Sequence, residues 1–310
     1  MKKALFGLLS LSILLFYCII IIKDYMKHTD ISIYPVKHIH KERSKEKTWL
    51  ISYADGDSFI QSQNNLSMSA SMTQAFDVVI SYQPHNIDPQ YYEKHKEILA
   101  QKRGVGYWLW KPYLILETLK IMPENDILLY ADRTAIFRDG IYEVLALAKE
   151  YDITLFPNYH TNRQFMKKLL VDKMEKGDQA IRDKIQLEAS FLLLRNNSKT
   201  REFIKEWLSY CEDPELLTDI PSDNEYPEFI DHRHDQAILS ALYHKNPKRY
   251  HLYQPYPARK NAFFLTRRNS SNNSLLSITF NKQLGNFNWT NKYLINLRNI
   301  LIGRQKNNQE

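Results

Sequence analysis

The first pattern along the chain is a run of apolar residues from Ala4 to Ile22. As a helix rising about 1.5 Å per residue, this run is about 28 Å long, close to the thickness of bilayer hydrocarbon. We therefore predict that residues 1–22 form an N-terminal membrane anchor. A cleaved signal peptide is the alternative, but the residues that follow the run lack a small-residue cleavage site.

The segments on either side of the central region are polar. Residues 23–47 are basic and have no apolar period, which predicts a stem that separates a folded domain from the membrane or contacts anionic lipid headgroups. Residues 269–310 are rich in Asn, Ser and Lys and form a polar C-terminal extension, in which KYLINLRNILIG has helical spacing. The folded domain is therefore expected at residues 48–268.

From Thr48 onward, short β-type runs alternate with helical segments. Apolar runs predict strands in TWLISY, FDVVISY, DILLYAD, DITLFPN, LEASFLLLRNN and RYHLYQPYP. Apolar residues at helical spacing predict helices in YYEKHKEILAQKRG, KPYLILETLKIM, IYEVLALAKEY, SKTREFIKEWLSYC and HDQAILSALYHK. This alternation predicts an α/β fold with an open mixed sheet flanked by helices.

Composition narrows the class of protein. The 310 residues include only 2 Cys, without CxxC or Cys/His spacing, which excludes a disulfide scaffold and a zinc module. Hydrophobic residues make up 44% of the chain, enough for a large core and too many for a disordered chain. The formal net charge is +7, but most of the surplus lies in the stem and the tail, so we expect no nucleic-acid partner.

The strand DILLYAD delivers a carboxylate, Asp132, to its carboxyl end. Ligands of open α/β sheets bind beyond the carboxyl ends of the strands. A carboxylate fixed there suits a divalent cation that bridges two phosphates, or a sugar hydroxyl. The alternative is that Asp132 only caps the turn before TAIFRDG.

The segment RGVGYWLWKPY, residues 103–113, has the most unusual composition in the chain. Its glycines allow close backbone approach, and Arg103 and Lys111 suit a diphosphate. Tyr107, Trp108 and Trp110 offer ring faces for a base or a sugar, although at least one Trp is expected to serve the core.

Two further segments carry candidate chemistry. In EFIDHRHDQAILSAL, charged residues precede an apolar helix: Asp235 suits a general base, Gln236 suits a substrate hydroxyl, and His234 could complete a metal site with Asp132. A helix start with a solvated polar first turn is the simpler reading. In LEASFLLLRNN, Glu188 opens an apolar strand and is a second candidate base.

Together, RGVGYWLWKPY, DILLYAD and the late HDQ resemble the GT-A-fold, nucleotide-sugar-dependent glycosyltransferases, in particular their bacterial-type families. The resemblance covers about Thr48 to Pro257. It implies a GT-A-like domain that moves a sugar from a nucleotide sugar to a glycan or glycolipid acceptor. The donor-binding residues would be Tyr53, Arg103, Tyr107, Trp110, Lys111, Arg133 and Gln236, and the catalytic residues Asp132, Asp235 and Glu188.

The resemblance also implies a divalent cation, Mn²⁺ or Mg²⁺, held by Asp132 and His234. Asp132-Arg133-Thr134 departs from a full DxD motif, however, because Thr134 stands where a second carboxylate would be. Metal dependence is therefore left open, and Arg133 could offset part of the diphosphate charge instead.

Two other classes of protein are considered. A nucleotidyltransferase acting on sugar phosphates would use a similar sheet, but YADGDSF lacks the lysine of a triphosphate loop. A membrane-tethered carbohydrate-binding protein would expose Trp and Tyr without needing a carboxylate at a strand end.

Membrane lipid is an expected partner through the anchor, but lysines flank the anchor on both sides and do not fix its orientation. A bacterial inner-membrane protein with a cytoplasmic catalytic domain is favoured, with a Golgi type II protein as the alternative.

Overall fold

A computed structural model describes residues 45–252, apart from 139, 175–180 and 223, together with the backbone of 263–265. These residues lie in one compact unit, Lys45–Asn272. The predicted anchor, most of the predicted stem and the C-terminal extension lie outside the described residues. No helix in the described part of the chain is long and apolar enough to cross a membrane.

Eight strands are described: β1 (Thr48–Tyr53), β2 (Val78–Tyr82), β3 (Ile127–Ala131), β4 (Ala135–Phe137), β5 (Ile153–Thr161), β6 (Ile185–Arg195), β7 (His251–Leu252) and β8 (Phe263–Leu265). Six of them form a sheet in the order β2-β1-β3-β6-β5-β7, and β4 pairs with β8. β1 is parallel to β2 and β3, whereas β6 is antiparallel to β3 and β5. The predicted mixed sheet is confirmed.

The right-handed helices of the described residues are α1 (Asp57–Thr73), α2 (Pro89–Lys94), α3 (Lys96–Leu99), α4 (Trp110–Ile121), α5 (Ile141–Ala146), α6 (Asn162–Phe165), α7 (Lys168–Lys173), α8 (Ser198–Cys211), α9 (Pro214–Leu217) and α10 (His234–Lys245). Single 3-10 turns lie at Pro84–Asn86, Leu147–Lys149 and Pro247–Arg249. Pro112 lies in the first turn of α4, where a missing N–H costs nothing.

The central strands bury both of their faces because alternate residues enter two different cores. Leu128 and Tyr130 of β3 pack with α4, α8 and α10 on one face. Leu129 and Ala131 pack with α1 and α5 on the other face. Helices on both faces explain why β3 and β6 are continuous apolar runs.

Three details differ from the sequence-based expectations. Helix α1 has no apolar period because it buries polar residues: Gln63 donates to the hydroxyl of Ser52 at 3.1 Å. The single helix expected from Tyr91 to Gly104 is broken at His95, whose ring is buried against Tyr91. β6 begins at Ile185, so Glu188 lies inside the strand rather than at its opening.

Candidate active site

A cavity of about 520 Å³ lies at the carboxyl ends of β1 and β3. The chain leaves β1 for β2 on one side and returns to β3 on the other, so this is the switch point at which open α/β sheets bind ligands. All but one of the predicted site residues line it: Tyr53, Arg103, Trp110, Lys111, Asp132, Arg133, Glu188, His234, Asp235 and Gln236. The exception is Tyr107.

Lys111 and two carboxylates form the charged centre of this cavity. The Lys111 Nζ lies 2.7 Å from Oδ2 of Asp235 and 3.8 Å from Oδ1 of Asp132. Tyr130 donates its hydroxyl to Oδ1 of Asp132 at 2.7 Å. The side chains of Lys111 and Asp235 are 3% and 5% exposed, whereas Asp132 is 33% exposed. Asp132 is therefore the member of the group that a ligand can reach.

Burial and mutual attraction set the charge states of this centre. Burial raises the pKa of Asp235 to about 6, although the neighbouring Lys111 ammonium acts in the opposite direction. Burial alone would lower the pKa of Lys111, but Asp132 and Asp235 together raise it. The raised pKa of Lys111 keeps its side chain cationic at neutral pH, and the raised pKa of Asp235 brings its titration into the mildly acidic range.

The segment before α4 makes a left-handed turn. Five successive residues, Gly104 to Trp108, have φ between 51° and 87°. A Cβ on Gly106 would lie 2.6 Å from the Cα of Leu99, so both the φ and the close packing require glycine there. Val105, Tyr107 and Trp108 adopt this region at a cost of about 1–2 kcal/mol each. Strain of this kind often marks a ligand-binding segment.

A second charged group lies on the loop side of the cavity. Arg103 bridges Asp219 at 2.9 Å and Asp231 at 2.7 Å. Tyr107 donates its hydroxyl to Asp219 at 3.0 Å, so its polar end is used within the protein. Arg103, predicted to bind the donor, therefore already has two carboxylate partners in this structure.

His234 lies between this group and the cavity wall. Its ring is near Tyr107 and Trp108, and its Nδ1 is 2.8 Å from the Leu217 carbonyl oxygen. Burial lowers the pKa of His234, which favours the neutral ring. Its φ of 50° is a further left-handed position beside the cavity.

A further part of the cavity wall comes from antiparallel β6 and the start of α10. Glu188 accepts a hydrogen bond from the Ser190 hydroxyl at 3.2 Å and is half-buried. Gln236 donates its amide to the buried Gln186 at 2.7 Å, which fixes the orientation of the Gln236 side chain. Carboxylate and amide oxygens on this wall suit the hydroxyl groups of a sugar.

Tyr53 and Trp110 are the aromatic residues of the cavity wall next to Lys111. Their rings stack on each other at 4.0 Å and are almost fully buried. Trp110 also donates its indole N–H to the Gly104 carbonyl at 3.0 Å, which ties the left-handed turn to α4. Both residues therefore shape the cavity and have little free ring surface for a base.

The residues present do not form a protein cage for a divalent cation. In the described part of the chain, no group of three or more His, Cys, Asp and Glu side chains is placed to hold a metal. The Lys111 ammonium lies 3.8 Å from Asp132, so a cation at Asp132 would meet a fixed positive charge. His234 uses Nδ1 on the Leu217 carbonyl, which leaves its buried Nε2 without a hydrogen-bond partner among the described residues. Of the two predicted ligands, Asp132 therefore lacks a metal-binding surrounding, whereas His234 still has a ligand atom available.

Sequence reasoning missed several residues at this site. Asp219 lies in the ordinary-looking segment TDIP, and nothing in its pattern points to Arg103. Arg233 and Lys102 line the cavity but were not assigned a role, and Asn158 comes from the middle of β5. The proximity of Lys102 to the Arg103 block was the one available signal.

No model of a known protein family matches the chain, and no curated protein is similar to it. Solved structures with a similar course of the chain include galactosyltransferase LgtC in complex with donor and acceptor sugar analogues (15% identity, 63% of this chain and 70% of that chain, TM-score 0.37). Mouse xyloside xylosyltransferase 1 is another (11% identity, 66% and 85%, TM-score 0.40). A third is a glycosyltransferase involved in glycosylation of the major capsid of PBCV-1 (9% identity, 73% and 98%, TM-score 0.41). These scores are low, so the function is argued below from the cavity.

Proposed function

We propose that this chain is a glycosyltransferase that moves a sugar from a nucleotide sugar to a hydroxyl of a glycan or lipid-linked acceptor. The observation that carries the proposal is the placement of Asp132, Lys111 and Asp235 at the switch point of the sheet. Cationic and aromatic residues line the same cavity as this centre, together with Glu188, Ser190 and Gln236.

In the proposed reaction, the bond between C1 of the sugar and the diphosphate oxygen breaks, and the nucleoside diphosphate leaves with the electron pair. The acceptor oxygen forms the new bond to C1, and its proton passes to a base. The charge that develops on the diphosphate needs fixed positive groups nearby. The proton needs a carboxylate within hydrogen-bond reach of the acceptor.

Lys102 and Arg233 suit the diphosphate best. Both line the cavity, and neither forms an ion pair with a carboxylate among the described residues. The Nε–H of Arg233 is buried and donates to no acceptor among the described residues, and the guanidinium carbon lies 4.8 Å from the Phe165 ring centre. A guanidinium held by packing can bind phosphate oxygens in a fixed orientation.

Glu188 suits the acceptor better than Asp235 does. Asp235 is deeply buried and paired with Lys111, so protonating it would break that pair. Glu188 is half-buried on the wall that carries Ser190 and Gln236. We therefore assign the base to Glu188 and a positioning role to Asp235. We also propose that the apolar run at the N-terminus anchors the enzyme beside a membrane-bound acceptor.

The test is a panel of nucleotide sugars, screened by thermal shift and by release of nucleoside diphosphate from the full chain. Replacing Asp132 with Asn keeps the shape and removes the charge, so turnover should fall by about 100-fold or more. Asp172→Asn is the matched control, since Asp172 is exposed and its one ion pair among the described residues is with Lys168 in the neighbouring turn. Normal turnover in folded D132N, or no donor binding across the panel, would contradict the proposal.

A further inference from the structure

The side chain of Lys111 is unusual because it is a buried cation that contacts two carboxylates from different elements. Lys111 belongs to the first turn of α4, Asp132 follows β3, and Asp235 begins α10. Its Nζ lies also 5.4 Å from the Tyr130 ring centre and 5.7 Å from that of Trp110. Aromatic faces and carboxylates thus hold a positive charge in one position.

Asp132 and Asp235 would otherwise form an oxygen-rich pair at the end of a buried strand. Both lie within 4 Å of one nitrogen atom, at 3.8 Å and 2.7 Å. Oxygen ligands of this kind attract hard divalent cations. With the ammonium between them, one of the two negative charges is already neutralised, and a divalent cation would meet a fixed positive charge at close range.

We propose that the ammonium of Lys111 is a built-in counter-cation that takes the place of a divalent metal between Asp132 and Asp235. The inference rests on the proposed function and deepens it: the donor would bind without a metal ion. Thr134, two residues after Asp132, fits this arrangement because it adds no second carboxylate for a metal to use. Lys111 acts as a positioning residue that holds Asp132 for the donor.

The inference makes a prediction that does not depend on activity. Replacing Lys111 with Met leaves an unbranched side chain one atom shorter and removes its charge, so the two carboxylates lose their counter-charge. The K111M variant should then gain a site for Mn²⁺ at least about tenfold tighter than any site in the wild type. Lys111→Arg keeps the charge and should bind no more Mn²⁺ than the wild type.

The experiment titrates Mn²⁺ into the full chain in detergent, with bound ion read by electron paramagnetic resonance and by thermal shift. One Mn²⁺ bound to K111M, absent from K111R and lost again in the K111M/D132N double variant, supports the inference. A single tight Mn²⁺ site in the wild type that D132N removes overturns it. If K111M folds only when Mn²⁺ is present, that requirement also supports it.

If K111M does not fold under any condition, the inference is tested on the wild type instead, by measuring its turnover with and without a chelator. The inference is supported if the wild type has no Asp132-dependent Mn²⁺ site and its turnover is unchanged by a chelator. It is overturned if a chelator abolishes turnover and added Mn²⁺ restores it. Failure of the proposed function has a separate signature. No nucleotide sugar would be bound or cleaved, while the Mn²⁺ titrations would still give their result.

Discussion

Two charged groups of the same make-up, one cation between two carboxylates, differ in their surroundings, and the outer group reaches the cavity only through Arg103. In the inner group, Lys111 lies between Asp132 and Asp235 and is 3% exposed. In the outer group, Arg103 lies between Asp219 and Asp231, and all three side chains are 37–42% exposed. Because the two groups contain the same kinds of residue, the difference in burial should decide how much each group contributes to the stability of the fold.

The inner group is expected to control stability and chemistry, because buried charges depend on their partners. Removing one member leaves an uncompensated charge in a medium that solvates it poorly. The outer group is expected to be exchangeable, because water and salt screen it. It joins the left-handed turn to the loop before α10 and can release Arg103 to a ligand at little cost.

The largest expected difference between the two groups is in the free energy of unfolding. Lys111→Met should lower it by about 3–5 kcal/mol, because two carboxylates lose their counter-charge inside the fold. Arg103→Met should lower it by less than about 1 kcal/mol. Urea denaturation of the two variants beside the wild type measures both values. Equal losses would show that burial does not separate the groups.

The second prediction concerns the turn that connects the two groups. Gly106→Ala should cost at least about 2 kcal/mol, because a Cβ there would lie 2.6 Å from the Leu99 backbone. The left-handed backbone alone would cost an alanine about 1–2 kcal/mol, as it does at Val105 in the same turn. Thermal denaturation of Gly106→Ala beside the wild type measures the total cost. A cost of about 1 kcal/mol or less would remove the packing argument.

The sequence was informative where local pattern determines structure. The apolar run of DILLYAD correctly predicted a buried strand, and with it the position of Asp132 just after the carboxyl end of that strand. HDQ correctly marked the start of α10. Helix α1 escaped prediction because its buried residues include Ser62, Gln63 and Asn65, whose polar groups bond within the fold.

The pairings at the site could not be predicted in this way. Lys111 meets Asp235 only because α4 and α10 pack on the same face of the sheet, which no local pattern records. The same holds for Arg103 and Asp219. The left-handed φ of Val105 and Tyr107 is also a tertiary effect, since neither residue favours that region by itself.

The smallest effect is a pH dependence of stability that arises from the inner group. The folded protein raises the pKa of Asp235 from 3.8 to about 6, so folded Asp235 holds its proton more tightly than unfolded Asp235 does. A raised carboxyl pKa means that the folded state gains stability as pH falls from above 6 toward 4. Between pH 7.5 and pH 5, the free energy of unfolding of the wild type should rise by about 1 kcal/mol relative to that of Asp235→Asn, which cannot titrate.

Asp183→Asn is the control of opposite sign, because Arg182 and Arg163 lower the pKa of the exposed Asp183. The wild type should gain no stability over this variant at pH 5. Denaturation curves of the three proteins at both pH values measure these differences. A wild type that gains nothing over D235N on acidification would mean that the Lys111 ammonium outweighs burial at Asp235, and the contrast between the inner and outer groups would then rest on stability alone.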